Sequence, residues 1–193
     1  MKGIWDNNEL NGNGTLLWNN GNYYIGQLTN SIYHGYGKLY TYNGDKYEGE
    51  FNMSLKHGQG VYYYHNLDIY NGSFINGKKE GNGTYISSTY TYIGEFYNDL
   101  MHGNGKYFIN NTLNYAGEFM NNYRHGYGIS YHEIDLLQGK YIGYFKDNKM
   151  HGSGTFYYQN GDEYTGEYRM GKRYGRGKMK YSNGKIVHMD FTK

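Results

Sequence analysis

Residues 47–69 read YEGEFNMSLKHGQGVYYYHNLDI, and the same arrangement of tyrosine, glycine and aromatic residues recurs along the whole chain of 193 residues. The pattern Tyr-x-Gly-x-aromatic opens each copy. Copies start at Tyr24, Tyr47, Tyr70, Tyr92, Tyr115, Tyr141 and Tyr164, with Met1 and Val187 in the same register. Most copies are 23 residues long. A fixed period of this length is typical of repeat proteins, so the period predicts the fold before any single strand is assigned.

Three glycines stand at fixed places in every copy. With the opening tyrosine as position 1, glycine occupies positions 3, 12 and 14 of all eight full repeats, which uses 24 of the 31 glycines. Position 5 holds an aromatic ring, as in Phe51, with Leu28 as the exception. Glycine is therefore positional here, and its regular placement indicates a structural requirement.

The pattern resembles the membrane occupation and recognition nexus (MORN) repeat, as in Tyr47-Glu-Gly-Glu-Phe51 followed by His57-Gly-Gln-Gly60. Eight full repeats, starting at residues 1, 24, 47, 70, 92, 115, 141 and 164, and a half repeat at 187–193 make a single array over residues 1–193. The resemblance implies an all-β fold, an elongated single-layer twisted antiparallel sheet of tandem β-hairpins. It also implies a scaffold in a cytoskeletal, ciliary or membrane-linked assembly.

Each repeat divides into two short strands at positions 1–5 and 12–18. Asn121-Asn122 within a repeat and Asn43-Gly44 between repeats are hairpin signals, because both residue types tolerate positive φ. If position 5 pairs with 12, 3 with 14 and 1 with 16, all three glycines share one face with the rings. Because glycine has no side chain, we expect space above the glycines into which neighbouring rings pack, as for Tyr47, Phe51 and Tyr62. Carboxylates at position 4, such as Glu95, are then solvated on the other face.

The composition excludes several classes of protein. The chain has no cysteine, which rules out disulfide frameworks, thiolate zinc sites and cysteine catalysis. Only 37% of the residues are hydrophobic, and no window approaches 18 consecutive apolar residues. We therefore expect a cytoplasmic protein, and the resemblance implies that it is associated with the cytoskeleton or with a membrane.

No group of residues supports catalysis or cofactor binding. Histidine recurs at position 11, as in His57 and His125, but neighbouring repeats would place these side chains ~10 Å apart. Ligands of one zinc must lie much closer together, because each bond is ~2.1 Å. We expect each histidine to hydrogen-bond its own turn. The sequence predicts no enzyme activity, no cofactor, no metal and no small-molecule substrate.

Position 17 is expected to point away from the glycines and carries a second row of rings. Since a single-layer sheet has no second layer to bury them, these rings are candidates for contact with a protein partner. The candidate partner-binding residues are Tyr40, Tyr63, Phe108, Tyr131 and Tyr157. The other interpretation is that they only shield the backbone. The first prediction for function is thus a non-catalytic scaffold that binds protein partners, or a second copy of itself.

Two alternatives for function remain open. The net charge is only +2, but from Tyr164 onward there are eight basic and two acidic residues. Lys172, Arg173, Arg176 and Lys178 could therefore hold a peripheral module weakly on anionic phospholipid. The chain could also be an accessory domain of a larger enzyme. Nucleic acid is not expected as a partner, since the overall charge is small.

The N-terminal strand is a candidate edge for self-association. A sheet of hairpins has two open edges, and an open edge can pair with another chain. Ile4 and Trp5 stand in the first strand beside few charges, so we expect them to favour a homodimer.

Overall fold

The computed structural model describes residues 2–6, 9–134 and 137–192, and the side chains of 9–131 and 139–192. The chain divides into two units, Met1–Asp99 and Leu100–Lys193. All regular secondary structure of the described residues is β-strand, which confirms the all-β class. These residues contain no helix that could cross a membrane.

The N-terminal unit is an open antiparallel sheet in which each strand pairs with the next along the chain. Its strands are β1 (Lys2–Asp6), β2 (Glu9–Leu17), β3 (Tyr23–Thr29), β4 (Ile32–Tyr40), β5 (Lys46–Asn52), β6 (Leu55–Tyr63), β7 (Ile69–Ile75), β8 (Lys78–Ile86) and β9 (Tyr90–Tyr97).

The C-terminal unit repeats this arrangement. Its strands are β10 (Leu100–Ile109), β11 (Thr112–Met120), β12 (Tyr123–Ile134), β13 (Leu137–Lys146), β14 (Lys149–Tyr158), β15 (Glu163–Arg169), β16 (Lys172–Lys180) and β17 (Ile186–Asp190).

In the repeats whose turn the structure describes, the hairpin turn within the repeat is two residues long, and both residues are left-handed. Asn121 and Asn122, for example, have φ of 52° and 70°. Turns of this kind match the right-handed twist of the strands, which confirms the hairpin signal at these asparagines. The second strand therefore begins at position 9, as at Leu55 in β6, and not at position 12 as the sequence predicted.

The register predicted within a repeat holds in part. Tyr47 pairs with Tyr62 and Gly49 with Gly60, which are the predicted pairs of positions 1–16 and 3–14. Position 5 instead pairs with position 10, Phe51 with Lys56, because two additional residues of the second strand form a bulge. The predicted 5–12 pair occurs between repeats, where Gly35 lies opposite Phe51.

The three glycines have two different roles, so their assignment to one face was wrong. At position 14 a Cβ would meet the ring of the opening tyrosine; a Cβ on Gly60, for instance, would lie 2.5 Å from Cζ of Tyr47. At position 3 it would meet the paired glycine and the tyrosine hydroxyl, as a Cβ on Gly49 would lie 2.5 Å from Cα of Gly60 and 2.6 Å from the Tyr47 hydroxyl. At position 12 all eight glycines have φ between 55° and 73°, the left-handed conformation that the bulge requires. A Cβ on Gly58 would meet the Glu50 carboxylate on the opposite face.

Opening tyrosines and position-5 rings form the core of each unit. Tyr70 is fully buried, and its ring lies 5.1 Å from Phe74 and 4.9 Å from Phe96, in both cases edge to face. The tyrosine hydroxyl donates to the carbonyl of Ser73, three residues on, at 3.0 Å. Each ring thus packs against its own repeat and the next, so stabilisation comes from neighbouring repeats.

The repeat that starts at Tyr115 is three residues longer than most, and from the sequence we expect the three additional residues to distort the sheet near Ile134 to Gly139. The structure instead extends the hairpin of β12 and β13, which stays paired as far as Ile134 and Leu137. Asp135 and Leu136 lie outside the described residues.

Candidate functional site

Each unit presents two faces with different chemistry. We call the face that carries positions 1, 5, 10 and 16 the ring face; in β5 and β6 these are Tyr47, Phe51, Lys56 and Tyr62. We call the opposite face, with positions 2, 4, 13, 15 and 17, the outer face. The ring face holds the buried core, and the outer face keeps most of its side chains half-exposed or exposed.

Long side chains at position 10 lie across the rings of the ring face, with a cation in four repeats. The ammonium of Lys56 is 4.3 Å from the ring centroid of Tyr62, and that of Lys79 is 5.0 Å from that of Tyr85. The guanidinium of Arg173 lies 4.2 Å from the ring centroid of Tyr164. Such cation–π contacts stabilise most where the cation is partly desolvated.

Burial of these cations changes their acid–base behaviour. Burial lowers the pKa of Lys56 below its usual range, although the attraction of Asp99 opposes this shift. Lys79 shows the same direction and the same two causes. Burial alone would raise the pKa of Asp45, but hydrogen bonds from the His65 N–H and the Tyr62 hydroxyl outweigh it and lower the pKa to about 2. The N-terminal unit therefore contains both the cations of Lys56 and Lys79 and the carboxylate of Asp45, which the unit's own residues hydrogen-bond.

Reasoning from sequence missed the position-10 row because positions 6–11 were assigned to the turn. Its members in chain order are Leu10, Tyr33, Lys56, Lys79, Met101, Arg124, Met150 and Arg173. All are long or bulky side chains, which is not typical of turn residues. That uniform size was the signal that position 10 packs on the rings.

Tyr168 is one of two ring-face tyrosines, with Tyr164, whose buried hydroxyl has no hydrogen-bond partner among the residues that the structure describes. It stands at position 5, where most repeats have phenylalanine. A buried unpaired hydroxyl costs free energy, so Tyr168→Phe should raise the free energy of unfolding by about 1 kcal/mol. The matched control is Tyr141→Phe, which removes a hydroxyl that donates to the Tyr144 carbonyl at 3.1 Å. Denaturant melts should show opposite signs for the two variants; a loss of stability in both would contradict this assignment.

The candidate partner-binding rings lie on the outer face at different exposures. Tyr63 is exposed, while Tyr40, Phe108, Tyr131 and Tyr157 are half-buried. In the N-terminal unit Tyr40 stacks on Tyr23 with centroids 4.3 Å apart. In the C-terminal unit the Lys140 ammonium lies 4.9 Å from the ring centroid of Tyr157.

Lys46 connects two of these rings on the outer face. Its ammonium lies 4.9 Å from the ring centroid of Tyr63 and 5.7 Å from that of Tyr40. Glu48 holds this ammonium at 2.7 Å and the Lys38 ammonium at the same distance. The rings and charges of this surface therefore stabilise one another's positions while they remain in contact with solvent.

Carboxylates at position 4 have a structural role that the sequence did not predict. An oxygen of Glu118 accepts the Tyr127 N–H at 2.8 Å, and Gln27 accepts the Tyr36 N–H at the same distance. These N–H groups follow the left-handed glycine of the bulge. The position-4 carboxylates are exposed on the outer face, as the sequence predicted. Those of Glu50 and Glu118 also cap the bulge, a role that the sequence did not predict.

His57 and His151, two of the histidines at position 11, do not make the expected hydrogen bond to the turn through Nδ1. In the part of the chain that the structure describes, Nδ1 of His57 and of His151 is buried without a hydrogen-bond partner. Nδ1 of His125 lies 3.7 Å from a carboxylate oxygen of Asp147. The described residues contain no group of three or more His, Cys, Asp or Glu side chains that could hold a metal.

The structure does not bring the four candidate lipid-binding residues together. Arg176 and Lys178 are exposed at positions 13 and 15 of β16, which belong to the outer face. Lys172 is exposed at the start of that strand, whereas Arg173 is half-buried over Tyr164 on the ring face.

The candidate residues for self-association, Ile4 and Trp5, lie in β1. This strand pairs with β2. The side chains of Ile4 and Trp5 lie outside those that the structure describes.

Consecutive β-hairpins that share a ladder of rings define a tandem β-repeat protein. The model of the MORN repeat matches residues 2–23, 24–46, 47–69, 70–91, 92–112, 115–131, 141–163 and 164–186. The chain therefore belongs to the MORN repeat family. MORN repeats often serve as protein or membrane interaction modules, and they are not a known family of enzymes.

Two solved structures are similar at low identity. One is the TCP domain of SAS-4 (dCPAP) from Drosophila melanogaster, in complex with a proline-rich motif of Ana2 (dSTIL). The two sequences are 12% identical, the alignment covers 92% of this chain and 88% of that chain, and the TM-score is 0.46. The other is a catalytically inactive virginiamycin B lyase from Staphylococcus aureus with quinupristin. It is 8% identical, the alignment covers 100% of this chain and 74% of that chain, and the TM-score is 0.20. A search of curated proteins found no match to this chain.

Proposed function

We propose that this protein is a non-catalytic scaffold that binds a protein partner along the rings of the outer face. Following the family resemblance, we place that partner in a cytoskeletal, ciliary or membrane-linked assembly. The observation that carries the proposal is the row at position 17, whose rings stay accessible while the opening tyrosines are fully buried.

The chemistry of this row suits a protein interface. Tyrosine offers a large rigid area at low entropic cost, and tyrosine and arginine are enriched at interface hot spots. Tyr63 is exposed over 36% of its surface, and its ring lies beside the Lys46 ammonium. Lys46 and Lys38 share the single carboxylate of Glu48, so this cluster keeps a net positive charge. A partner that presents apolar groups and a carboxylate would match both features.

Affinity capture with a matched pair of variants tests this function. Tyr63→Lys removes a ring from the row, and lysine is the residue that the last repeat carries at this position, Lys180. The control is Tyr42→Lys, which makes the same change at a turn tyrosine that is 77% exposed. Purified variants are first checked for unchanged circular dichroism and then used to capture proteins from the source cell, with quantitative mass spectrometry as the readout.

We expect at least one protein to be depleted about tenfold or more by Tyr63→Lys and retained by Tyr42→Lys, as for loss of a hot-spot residue. A second copy of this chain counts as a partner if light scattering shows the same dependence. Capture that is equal in all three proteins would overturn the proposal. Sedimentation with anionic vesicles that is lost in Arg176→Glu and Lys178→Glu, without any protein capture, would favour the lipid alternative.

A further inference from the structure

A cleft of about 430 Å³ opens on the ring face of the C-terminal unit beside Arg124. Its lining includes the apolar or aromatic residues Met101, Tyr107, Ile109 and Phe119. Three asparagines also line it: Asn114, Asn122 and Asn148. Phe119 is 5% exposed, whereas Ile109 is 41% exposed. The volume lies within the range of ~300–1,000 Å³ that is usual for binding sites.

In two other repeats a tyrosine side chain occupies the position that corresponds to this cleft. At position 18, just after the second strand, Tyr64 lies beside the next repeat's Lys79, with Nζ 3.5 Å from the tyrosine hydroxyl. The ring centroid of Tyr158 is likewise 5.7 Å from the Arg173 guanidinium, which also bonds its hydroxyl. Two repeats thus place a tyrosine against the position-10 cation that follows.

The repeat before Arg124 departs from this arrangement. Position 18 is Ile109, and position 16 of the following repeat is Ser130, where Lys56 and Lys79 have the rings of Tyr62 and Tyr85. Ile109 and Ser130 are therefore smaller, non-aromatic side chains where those repeats have rings, while the rings of Tyr107 and Phe119 line the cleft. The cleft occupies the region next to Ile109 that a ring at position 18 would otherwise cover.

Arg124 is held in place for a ligand before any ligand binds. Its guanidinium donates to the Ser130 hydroxyl at 3.2 Å and to the Asn148 carbonyl at 2.9 Å. It also lies 5.8 Å from the Tyr115 ring centroid and 5.4 Å from that of Phe145. A guanidinium fixed in this way loses little further freedom when a ring stacks on it.

We propose that this cleft binds an aromatic side chain, tyrosine above all, that a partner protein inserts beside Arg124. The proposal rests on the proposed function as a protein-binding scaffold and adds a second contact on the opposite face. The chain's own tyrosine–cation pairs are the template for the geometry. A buried aromatic anchor of this kind is a typical interface hot spot.

The first experiment tests the chemistry of the cleft with p-cresol, the tyrosine side chain as a free molecule. Methionine methyl NMR of the full chain provides a reporter in the cleft, Met101, and reporters elsewhere, such as the exposed Met53 and Met170. We expect p-cresol to give a saturable ring-current shift of Met101 and none of Met53 or Met170. A Met101 signal that does not move would overturn the proposal.

Two variants make this result specific. Ile109→Tyr restores the tyrosine that other repeats carry, so it should occupy the cleft and abolish the Met101 shift. Arg124→Met should weaken p-cresol binding about tenfold through loss of the guanidinium. Methionine is native and fully buried at position 10 as Met150, so this change should leave the fold intact. Equal p-cresol shifts in the wild type and in Ile109→Tyr would overturn the proposal.

The second experiment asks whether the occupant is a polypeptide. Peptides displayed on phage are selected on the wild-type chain and counter-selected on Ile109→Tyr. We expect the selected peptides to share a Tyr, Phe or Trp, and an alanine at that residue to weaken binding tenfold or more. Peptides without a shared aromatic residue, or no selected peptide despite p-cresol binding, would overturn the assignment to a partner side chain.

The failure of each proposal can be told apart. A cellular partner that is lost with Tyr63→Lys and kept with Ile109→Tyr leaves the scaffold function intact and overturns the cleft contact. Selected peptides that bind the Tyr63→Lys variant but not the Ile109→Tyr variant support the cleft contact. Capture of the same cellular proteins in equal amounts by Tyr63→Lys and Tyr42→Lys overturns the outer-face function.

Discussion

Replacing Gly60 by alanine should lower the free energy of unfolding by about 3 kcal/mol, at the upper end of the range for overpacking in a core. The new Cβ would lie 2.5 Å from Cζ and 2.6 Å from Cε2 of Tyr47. Tyr47 cannot easily move away, because its ring is buried between Phe51 and Phe74 with centroid distances of 5.0 Å to each. Urea denaturation of the full chain, followed by far-ultraviolet circular dichroism, measures the loss.

Gly77→Asn is the matched control for this prediction. A Cβ at Gly77 would meet nothing within 4 Å, and its φ of 85° is one that asparagine tolerates. The equivalent turn residue Asn122 already has a φ of 70°. We expect a change within about 0.5 kcal/mol. Similar losses for Gly60→Ala and Gly77→Asn would show that glycine is required here for backbone freedom and not for space.

The second large effect is expected for Phe96→Ala, at about 3 to 5 kcal/mol. Phe96 is 4% exposed and packs edge to face on Tyr92 at 5.1 Å and on Tyr70 at 4.9 Å. The Lys79 ammonium is 5.5 Å from its ring centroid. Truncation would therefore leave a cavity and remove the contact between two repeats. Urea denaturation measures the total loss, and hydrogen exchange should show that protection falls first in β8 and β9.

The control for Phe96 must be an outer-face residue without a structural role. Glu95 does not qualify, because the carboxylates of Glu50 and Glu118 at the same position cap their bulges. Ile93→Thr qualifies, since Ile93 is 46% exposed and threonine keeps the β-branch. We expect a change within about 0.5 kcal/mol. Equal losses for Ile93→Thr and Phe96→Ala would contradict the assignment of the two faces.

Features with a local cause were predictable from the sequence. The turn at Asn121 and Asn122 follows from residues that tolerate positive φ. The burial of Tyr47 and Phe51 follows from their alternation with glycine in a strand. The outer position of Tyr63 follows from the same alternation.

Features that depend on pairing between strands were not predictable in the same way. Whether Phe51 lies opposite position 12 or position 10 depends on where a bulge interrupts the ladder, and nothing within one strand shows this. The bulge gives Gly58 its left-handed φ and gives the Glu50 carboxylate an N–H to accept. The cations at position 10 lie on the ring face because the turn is only two residues long, which places position 10 inside the second strand.

By itself, the sequence determined the repeat, the all-β class, the buried tyrosine ladder and the family, because a strict period and the properties of glycine and asparagine act on residues that are close together in the chain. The tertiary structure alone decided which charges contact which rings and where the cleft beside Arg124 opens. These features arise between repeats, where the side chains of Ile109, Arg124 and Asn148 meet from three different repeats. Contacts of this kind depend on register and on the volume of neighbouring side chains, which only the packed sheet specifies.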